Sequence, residues 1–242
     1  MSSAKVKYSL LLPAFNEESS LSLIISKCKE ILNHKNDLEI IIIDNGSSDN
    51  SRLILERSIR PSNSDRLRFL IKENNEGYGA GLKFGFARTK SPVVIWTHAD
   101  MQCDLWDVVK VIENYETNSA SCLTVVKGRR LDRPLSDTII SQTFSLLNRK
   151  INGVILEDIN AQPNLIPREL INDLSDLPDD STFELYILTH ALKRGYAIKR
   201  IGVHFPKRKF GIGSNQGFVR KLNYSLNCFR VILGIRRTSA NN

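Results

Sequence analysis

Short apolar runs recur through the first half of this chain, separated by polar or helically periodic segments, and that alternation leaves few folds open to it. Tyr8 to Pro13, Leu38 to Ile43, Leu67 to Ile71 and Val93 to Thr97 are of strand length and apolar on both faces. Between the first two, Leu21, Ile24, Ile25, Cys28, Ile31 and Leu32 fall at helical spacing. Asn16 stands where a cap would be, and Glu17 and Glu18 suit the positive first turn. A Gly-rich helix through Phe84 and Phe86, a helix near Trp106 to Tyr115 and a strand from Ser121 to Val126 extend the series. Strands buried on both faces and joined by helices predict an α/β fold with a mostly parallel central sheet flanked by helices. Beyond Val126 the pattern weakens. Ser136 to Ile151 reads as a helix, Ser181-Thr182-Phe183-Glu184 as a capping box opening a helix that ends at Gly195, and Ala197 to His204 as a strand.

A chain of 242 residues with 41% hydrophobic and 25% charged side chains has enough apolar content for one sizeable core. No apolar run approaches the ~18 residues a membrane-crossing helix needs. The apolar start is followed at once by Asn16-Glu17-Glu18, without a small-residue cleavage site, so no signal peptide is expected. Cys28, Cys103, Cys122 and Cys228 are scattered, which fits buried thiols of a cytoplasmic protein better than a disulfide or zinc framework. The net charge of +8 is unevenly spread: no Asp or Glu follows Glu184, while Lys193 to Arg237 holds 12 Lys and Arg. The first 184 residues, with 22 basic and 26 acidic side chains, are net acidic. The basic C-terminal quarter would attract phosphates, anionic lipid or nucleic acid, or form a solvated basic face. No recognised nucleic-acid-reading motif accompanies it, so no nucleic-acid partner is expected.

Where the fourth apolar run ends, the chain reads His98-Ala99-Asp100-Met101-Gln102-Cys103-Asp104. In an extended segment side chains two apart share a face, so His98, Asp100 and Gln102, with Asp104 as a further candidate, would converge on one cation. Asp100 and Gln102 offer oxygen to a hard ion, and His98 suits Mn2+ better than Mg2+. The alternative is a strand that ends in a polar loop. Open parallel sheets bind ligands at the carboxyl ends of their strands, which gives weight to the loops 13–17, 44–49 and 74–79 as well. Singly each has an ordinary reading: Asp44-Asn45-Gly46 makes a turn, and Ser48 or Asp49 caps a helix.

Taken in order, these segments resemble the family 2 glycosyltransferases. The residues that carry the likeness are PAFNEE at 13–18, IIIDNGSSD at 41–49, NNEGYGAGLKFGF at 74–86, HADMQ at 98–102, KGRR at 127–130, EDINAQPNLIPRE at 157–169, STFELYILTHALKRGYAIKRIGVHF at 181–205 and PKRKFGIGS at 206–214. Within that family the chain looks most like the polyprenyl-phosphate glycosyltransferases, of the dolichol-phosphate mannose synthase kind. The resemblance implies a GT-A fold over residues 1–215, followed by a basic amphipathic segment at 216–242. It implies a nucleotide pocket lined by Pro13, Ala14, Asn16 and Glu17, with Asp44 holding the nucleobase. The Gly77 and Gly79 segment would close on the nucleotide, and Asp100 and Gln102 would hold Mn2+ or Mg2+ against the diphosphate. The family motif usually reads Asp-Ala-Asp, and His98 stands in place of the first carboxylate.

By the same resemblance Asp158 lies near the acceptor phosphate. It would act as a base toward a sugar hydroxyl, with the adjacent Glu157 or a purely structural Asp158 as the alternatives, whereas an acceptor phosphate is already ionised and needs no strong base. Arg129, Arg130, Arg208 and Lys209 are the cations expected at the phosphates of donor or acceptor. The function implied is inverting transfer of a hexose from a UDP- or GDP-linked donor to a polyprenyl phosphate. The alternatives are a cell-surface glycan acceptor or a catalytically weak sugar-nucleotide-binding relative. Val219, Leu222, Leu226, Phe229 and Leu233 repeat at 3,4,3,4 spacing among cations, which suggests a helix at the inner face of a membrane, or one packed on the domain.

Overall fold

The computed structural model describes residues 5–60, 65–118, 123–131, 135–206 and 218–240. Seven strands form one sheet in the order β3-β2-β1-β4-β6-β5-β7. The first four are β1 (Tyr8–Ala14), β2 (Leu38–Asn45), β3 (Leu67–Lys72) and β4 (Val93–Trp96). The other three are β5 (Thr124–Arg130), β6 (Asn164–Pro167) and β7 (Ala197–Val203). β6 runs antiparallel to both its neighbours, and the remaining pairs are parallel. The mostly parallel sheet expected from the apolar runs is present.

Strand alternation builds two cores. Leu10, Leu12, Ile40, Ile42, Val93 and Ile95 face one side, where they meet α1 (Glu18–His34), α2 (Ser51–Ile59) and α4 (Trp106–Asn118). Leu11, Ile41, Ile43, Val94 and Trp96 face the other, against α3 (Tyr78–Phe86), α6 (Arg168–Asn172) and α7 (Phe183–Lys193). α5 (Leu135–Asn152) and α8 (Phe218–Ala240) complete that second layer. Parallel strands covered on both faces need apolar residues at every position, which is why the runs read as continuous.

Several local expectations are revised. Asn16 does not cap α1: it has a φ of 56°, and Glu17 occupies the cap without a side-chain bond. Glu184 does not close a capping box, because its carboxylate is buried against Trp96 and Gln162, while the Thr182 hydroxyl turns to Asp180. β5 runs to Arg130 instead of ending at Val126, since buried Lys127 finds its bonds inside the protein; residues 119–122, Cys122 included, lie outside those described. The apolar stripe of α8 is not its packing face. Leu222, Leu226 and Phe229 are exposed, and Cys228, Ile232 and Ile235 are the buried ones among its described side chains. The boundary between residues 215 and 216 lies outside the described residues. Cys28, Cys103 and Cys228 are free and buried, and burial pushes the thiols of Cys28 and Cys103 up to about 12.

Candidate active site

β1 lies between β2 and β4, so the chain departs from its carboxyl end on both sides of one crevice, as open α/β sheets do at their ligand sites. The loops after β1 and β2 are sewn together there. The Asn16 N–H donates to Ser47 Oγ at 3.0 Å, and its Oδ1 accepts from the Ser48 N–H at 2.8 Å. The Glu17 N–H donates to Ser51 Oγ at 2.9 Å, the Glu18 N–H to Asp49 Oδ2 at 3.1 Å, and Glu18 Oε2 accepts from the Asn50 N–H at 2.9 Å. Burial alone would raise the Asp49 carboxyl, but its bonds to Ser51 and Glu18 leave it below the usual range. Asp44 is buried and accepts from the Ser47 N–H at 3.1 Å, which fixes the turn out of β2. Pro13 is half-buried and Ala14 buried on the floor of this edge.

The glycine segment closes the next side. Asn45 Nδ2 donates to the Gly77 carbonyl at 3.0 Å, and the Ala80 N–H to the Asp179 carbonyl at 3.0 Å. A Cβ on Gly77 would stand 2.3 Å from the Asp179 carbonyl oxygen, and one on Gly79 would stand 2.2 Å from that of Pro178. The backbone of 178–180 therefore lies directly on this loop, and Lys83 fastens it further through Asp179 at 2.6 Å.

The segment after β4 is not extended. Met101 has a φ of 60°, and Asp100 Oδ1 accepts from the Gln102 N–H at 3.0 Å, so the chain bends at the position where alternation would have continued. The Gln102 amide donates to the Pro206 carbonyl at 3.2 Å, and Asp100 is buried. His98 is half-buried with its ring 5.2 Å from that of Tyr78. The shared face expected for His98, Asp100 and Gln102 is thus replaced by a bend. Among the described residues no three His, Cys, Asp or Glu side chains are grouped to hold a metal by themselves.

Behind Tyr78 runs a buried polar network that sequence reasoning missed. Glu184 Oε1 accepts from Trp96 Nε1 at 3.1 Å and from Gln162 Nε2 at 3.0 Å, and Asn164 Nδ2 donates to Gln162 Oε1 at 2.8 Å. Burial, then the nearby Glu184 carboxylate, drive the Tyr78 hydroxyl well above its ordinary range.

Asp158 lies at the end of β5 with a φ of 43°. Its Oδ2 accepts from the Arg130 N–H at 2.8 Å, and its Oδ1 from Arg130 Nε at 2.8 Å and from Nη2. Burial works to raise this carboxyl, but the bonds from Arg130 prevail and hold it below the usual carboxylate range. Beneath it, fully buried Lys127 donates to the carbonyls of Asp158 at 2.7 Å and Ile159 at 2.8 Å. Burial, then the Arg200 charge, lower the Lys127 ammonium to about 7. Arg129 is exposed beside them, and Arg208 and Lys209 lie outside the described residues. The only sequence signal for Lys127 was its place in KGRR, and for Arg200 its place in the segment at 181–205; neither was singled out there.

The family model for Glycosyl transferase family 2 matches residues 9–161, and the chain belongs to that family. It is 26% identical over 219 residues to an undecaprenyl-phosphate 4-deoxy-4-formamido-L-arabinose transferase of Pectobacterium carotovorum subsp. carotovorum (strain PC1), covering 89% of this chain and 64% of the relative. An enzyme of the same description from Pseudomonas fluorescens (strain Pf0-1) is 27% identical over 190 residues, covering 77% of this chain and 54% of the relative. The chain thus spans less than two thirds of the length of these curated relatives. Among solved structures, glucosyl-3-phosphoglycerate synthase from Mycobacterium tuberculosis, in complex with Mn2+, UDP and glucosyl-3-phosphoglycerate, superposes with a TM-score of 0.71. It is 19% identical and covers 96% of this chain and 80% of that one. The fold is of the GT-A type.

Two stability predictions follow from the geometry. Gly79→Ala, which drives a methyl into backbone, is expected to cost more than Gly153→Ala, where a φ of 76° strains the residue but no atom stands within 4 Å. The expected losses in urea denaturation are roughly 3 kcal/mol against about 1 kcal/mol. For Lys127, the folded value of about 7 lies below the 10.5 of an ordinary lysine, so above pH 7 the unfolded chain binds the extra proton and stability rises with pH. The wild-type stability minus that of Lys127→Met should climb between pH 7 and 9.5, by on the order of 1 kcal/mol per unit. A flat difference would refute the lowering of the Lys127 ammonium on folding.

Proposed function

We propose that the chain is an inverting, metal-dependent transferase that moves a hexose from a UDP- or GDP-linked donor to a polyprenyl phosphate. The observation that carries the reading is the convergence of the loops after β1, β2 and β4 with the Gly77–Gly79 segment at one switch point, within a family 2 chain. The names of the curated relatives support the polyprenyl-phosphate acceptor. In this reading Pro13, Ala14, Asn16, Glu17 and Asp44 receive the nucleotide, and the glycine segment borders it.

The donor set fits a divalent ion shared with substrate. Asp100 supplies one buried carboxylate, Gln102 an amide oxygen and His98 an imidazole, and Mg2+ or Mn2+ at phosphates is commonly held by one or two carboxylates plus the phosphates themselves. Such an ion would offset charge on the departing diphosphate. Asp158, bound on both oxygens by Arg130, is a weak proton acceptor, which suits an acceptor phosphate that arrives already ionised. Its role in this reading is to fix Arg130, which with Arg129, and with Arg208 and Lys209 from the sequence, receives phosphate oxygens.

Peripheral contact with the cytoplasmic face of a membrane belongs to the same proposal. No described helix is long and apolar enough to cross a bilayer. α8 instead turns Leu222, Leu226 and Phe229 outward at 49%, 47% and 44% exposure, on a stretch of chain without a single acidic residue. Tyr224 on the same helix accepts from Asn160 Nδ2 at 2.9 Å, which ties it to the loop that carries Asp158.

A panel of UDP- and GDP-sugars with Mg2+ or Mn2+, read by nucleotide release, tests the proposal. Release should require both the ion and polyprenyl phosphate; none under any combination would refute the enzyme, and transfer to a free glycan alone would refute the acceptor. Asp100→Ala should lower kcat/KM by at least about 100-fold. His98→Asp should shift the metal preference from Mn2+ toward Mg2+, read by titrating each ion in the same assay.

A further inference from the structure

Lys127 and Arg200 are register partners in the parallel β5–β7 pair. Strand alternation puts both on the sheet face that carries Val125 and Ile198, and Arg129 continues the row toward the exposed end of β5. Two cations side by side repel, and burial removes the water that would screen them. Burial also lowers the Arg200 guanidinium, with Arg129 adding to the effect and Glu157 and Asp158 opposing it.

The carboxylates around this row do not neutralise it. Asp158 is taken on both oxygens by Arg130, and Glu184 by Trp96 and Gln162. Glu157 is exposed, and among the described residues neither Lys127 nor Arg200 forms an ion pair with it or with any other acid. Nη1 of Arg200 is buried without a hydrogen-bond partner, an arrangement that costs free energy unless something accepts from it. Above the row, the 158–160 segment is held by Lys127 from below and by Tyr224 of α8 from the side.

We infer that Arg200, with Arg129 beside it, is a binding site for a phosphate group, Lys127 supplying charge beneath it and holding the Asp158–Ile159 segment as its rim. A guanidinium grips a phosphate through paired N–H donors, and the dianion supplies the charge that the surrounding carboxylates do not. Which molecule brings the phosphate rests on the transferase reading: the acceptor's monophosphate or the donor's diphosphate.

Equilibrium titration of the full chain at fixed ionic strength with inorganic phosphate, farnesyl phosphate, UDP and GDP tests the site in wild type, Arg200→Gln and Arg200→Lys. Arg200→Gln should weaken inorganic phosphate and farnesyl phosphate by roughly tenfold or more, with Arg200→Lys intermediate. Unchanged UDP and GDP binding alongside that loss assigns the site to the acceptor phosphate; a loss confined to UDP or GDP assigns it to the donor. Equal affinities of wild type and Arg200→Gln for every probe overturn the site. If Arg200→Gln does not fold, the wild type decides: phosphate should raise Tm above chloride at matched ionic strength, and equal Tm values overturn the proposal. None of these readouts needs turnover. Intact phosphate binding with no transfer would sink the transferase reading and leave the site standing.

Discussion

The pairing of β1 with β2 on one side and β4 on the other, both parallel, is the constraint on which the rest of this molecule depends. Parallel neighbours cannot be joined by tight hairpins, so each strand must leave its carboxyl end and return through a helix. Covering both faces with helices then obliges Leu10 to Leu12, Ile40 to Ile43 and Val93 to Trp96 to be apolar throughout. Because β1 is central, the departures from β1 and β4 open opposite walls of one crevice. Position in the sheet, more than any single residue, brings Asn16, Asp44, Gly77 and Asp100 into one neighbourhood.

The antiparallel β6 makes the second half of the site. By running back between β4 and β5 it carries Gln162 and Asn164 into the interior, where Glu184 and Trp96 meet them, and it leaves the 156–160 segment lying over the end of β5. Charge is then handled pair by pair. Arg130 takes Asp158, Glu184 takes neutral donors, and Lys127 takes backbone carbonyls. A buried amine that gives two hydrogen bonds to carbonyls is satisfied as a donor, and burial still makes it lose its proton more readily than a lysine in water.

How much of this was legible in the sequence depended on the range of the interaction. The first four strands were readable because burial on both faces writes itself into consecutive residues. Asn16 was misread as a cap because its partner, Ser48, is 32 residues away, and Glu184 as a capping-box residue because Trp96, 88 residues away, claims its carboxylate. The bend at Met101 was invisible to an alternation argument, since a left-handed φ at a non-glycine residue leaves no compositional mark. Lys127 and Arg200 become neighbours only through the register of β5 on β7, and no spacing along the chain predicts register between strands so far apart. In α8 the buried side chains Cys228 and Ile232 are not those of the apolar repeat, because which face is covered depends on α5 and α7.

The stitching of Asn16 to Ser47 and Ser48 has a consequence for the energetics of recognition. Two surface loops that would otherwise each lose backbone freedom when a ligand arrives are already immobilised by one another. A molecule entering on that side meets a wall whose ordering entropy was spent during folding, so more of its contact energy appears as affinity. The wall around Asp100 and Gln102 is fastened differently: Ser20 Oγ of α1 donates to the Ala99 carbonyl, and the Gln102 amide donates to the Pro206 carbonyl. The crevice therefore has one jaw sewn from two neighbouring loops and one held across the fold, to α1 on one side and to Pro206 on the other.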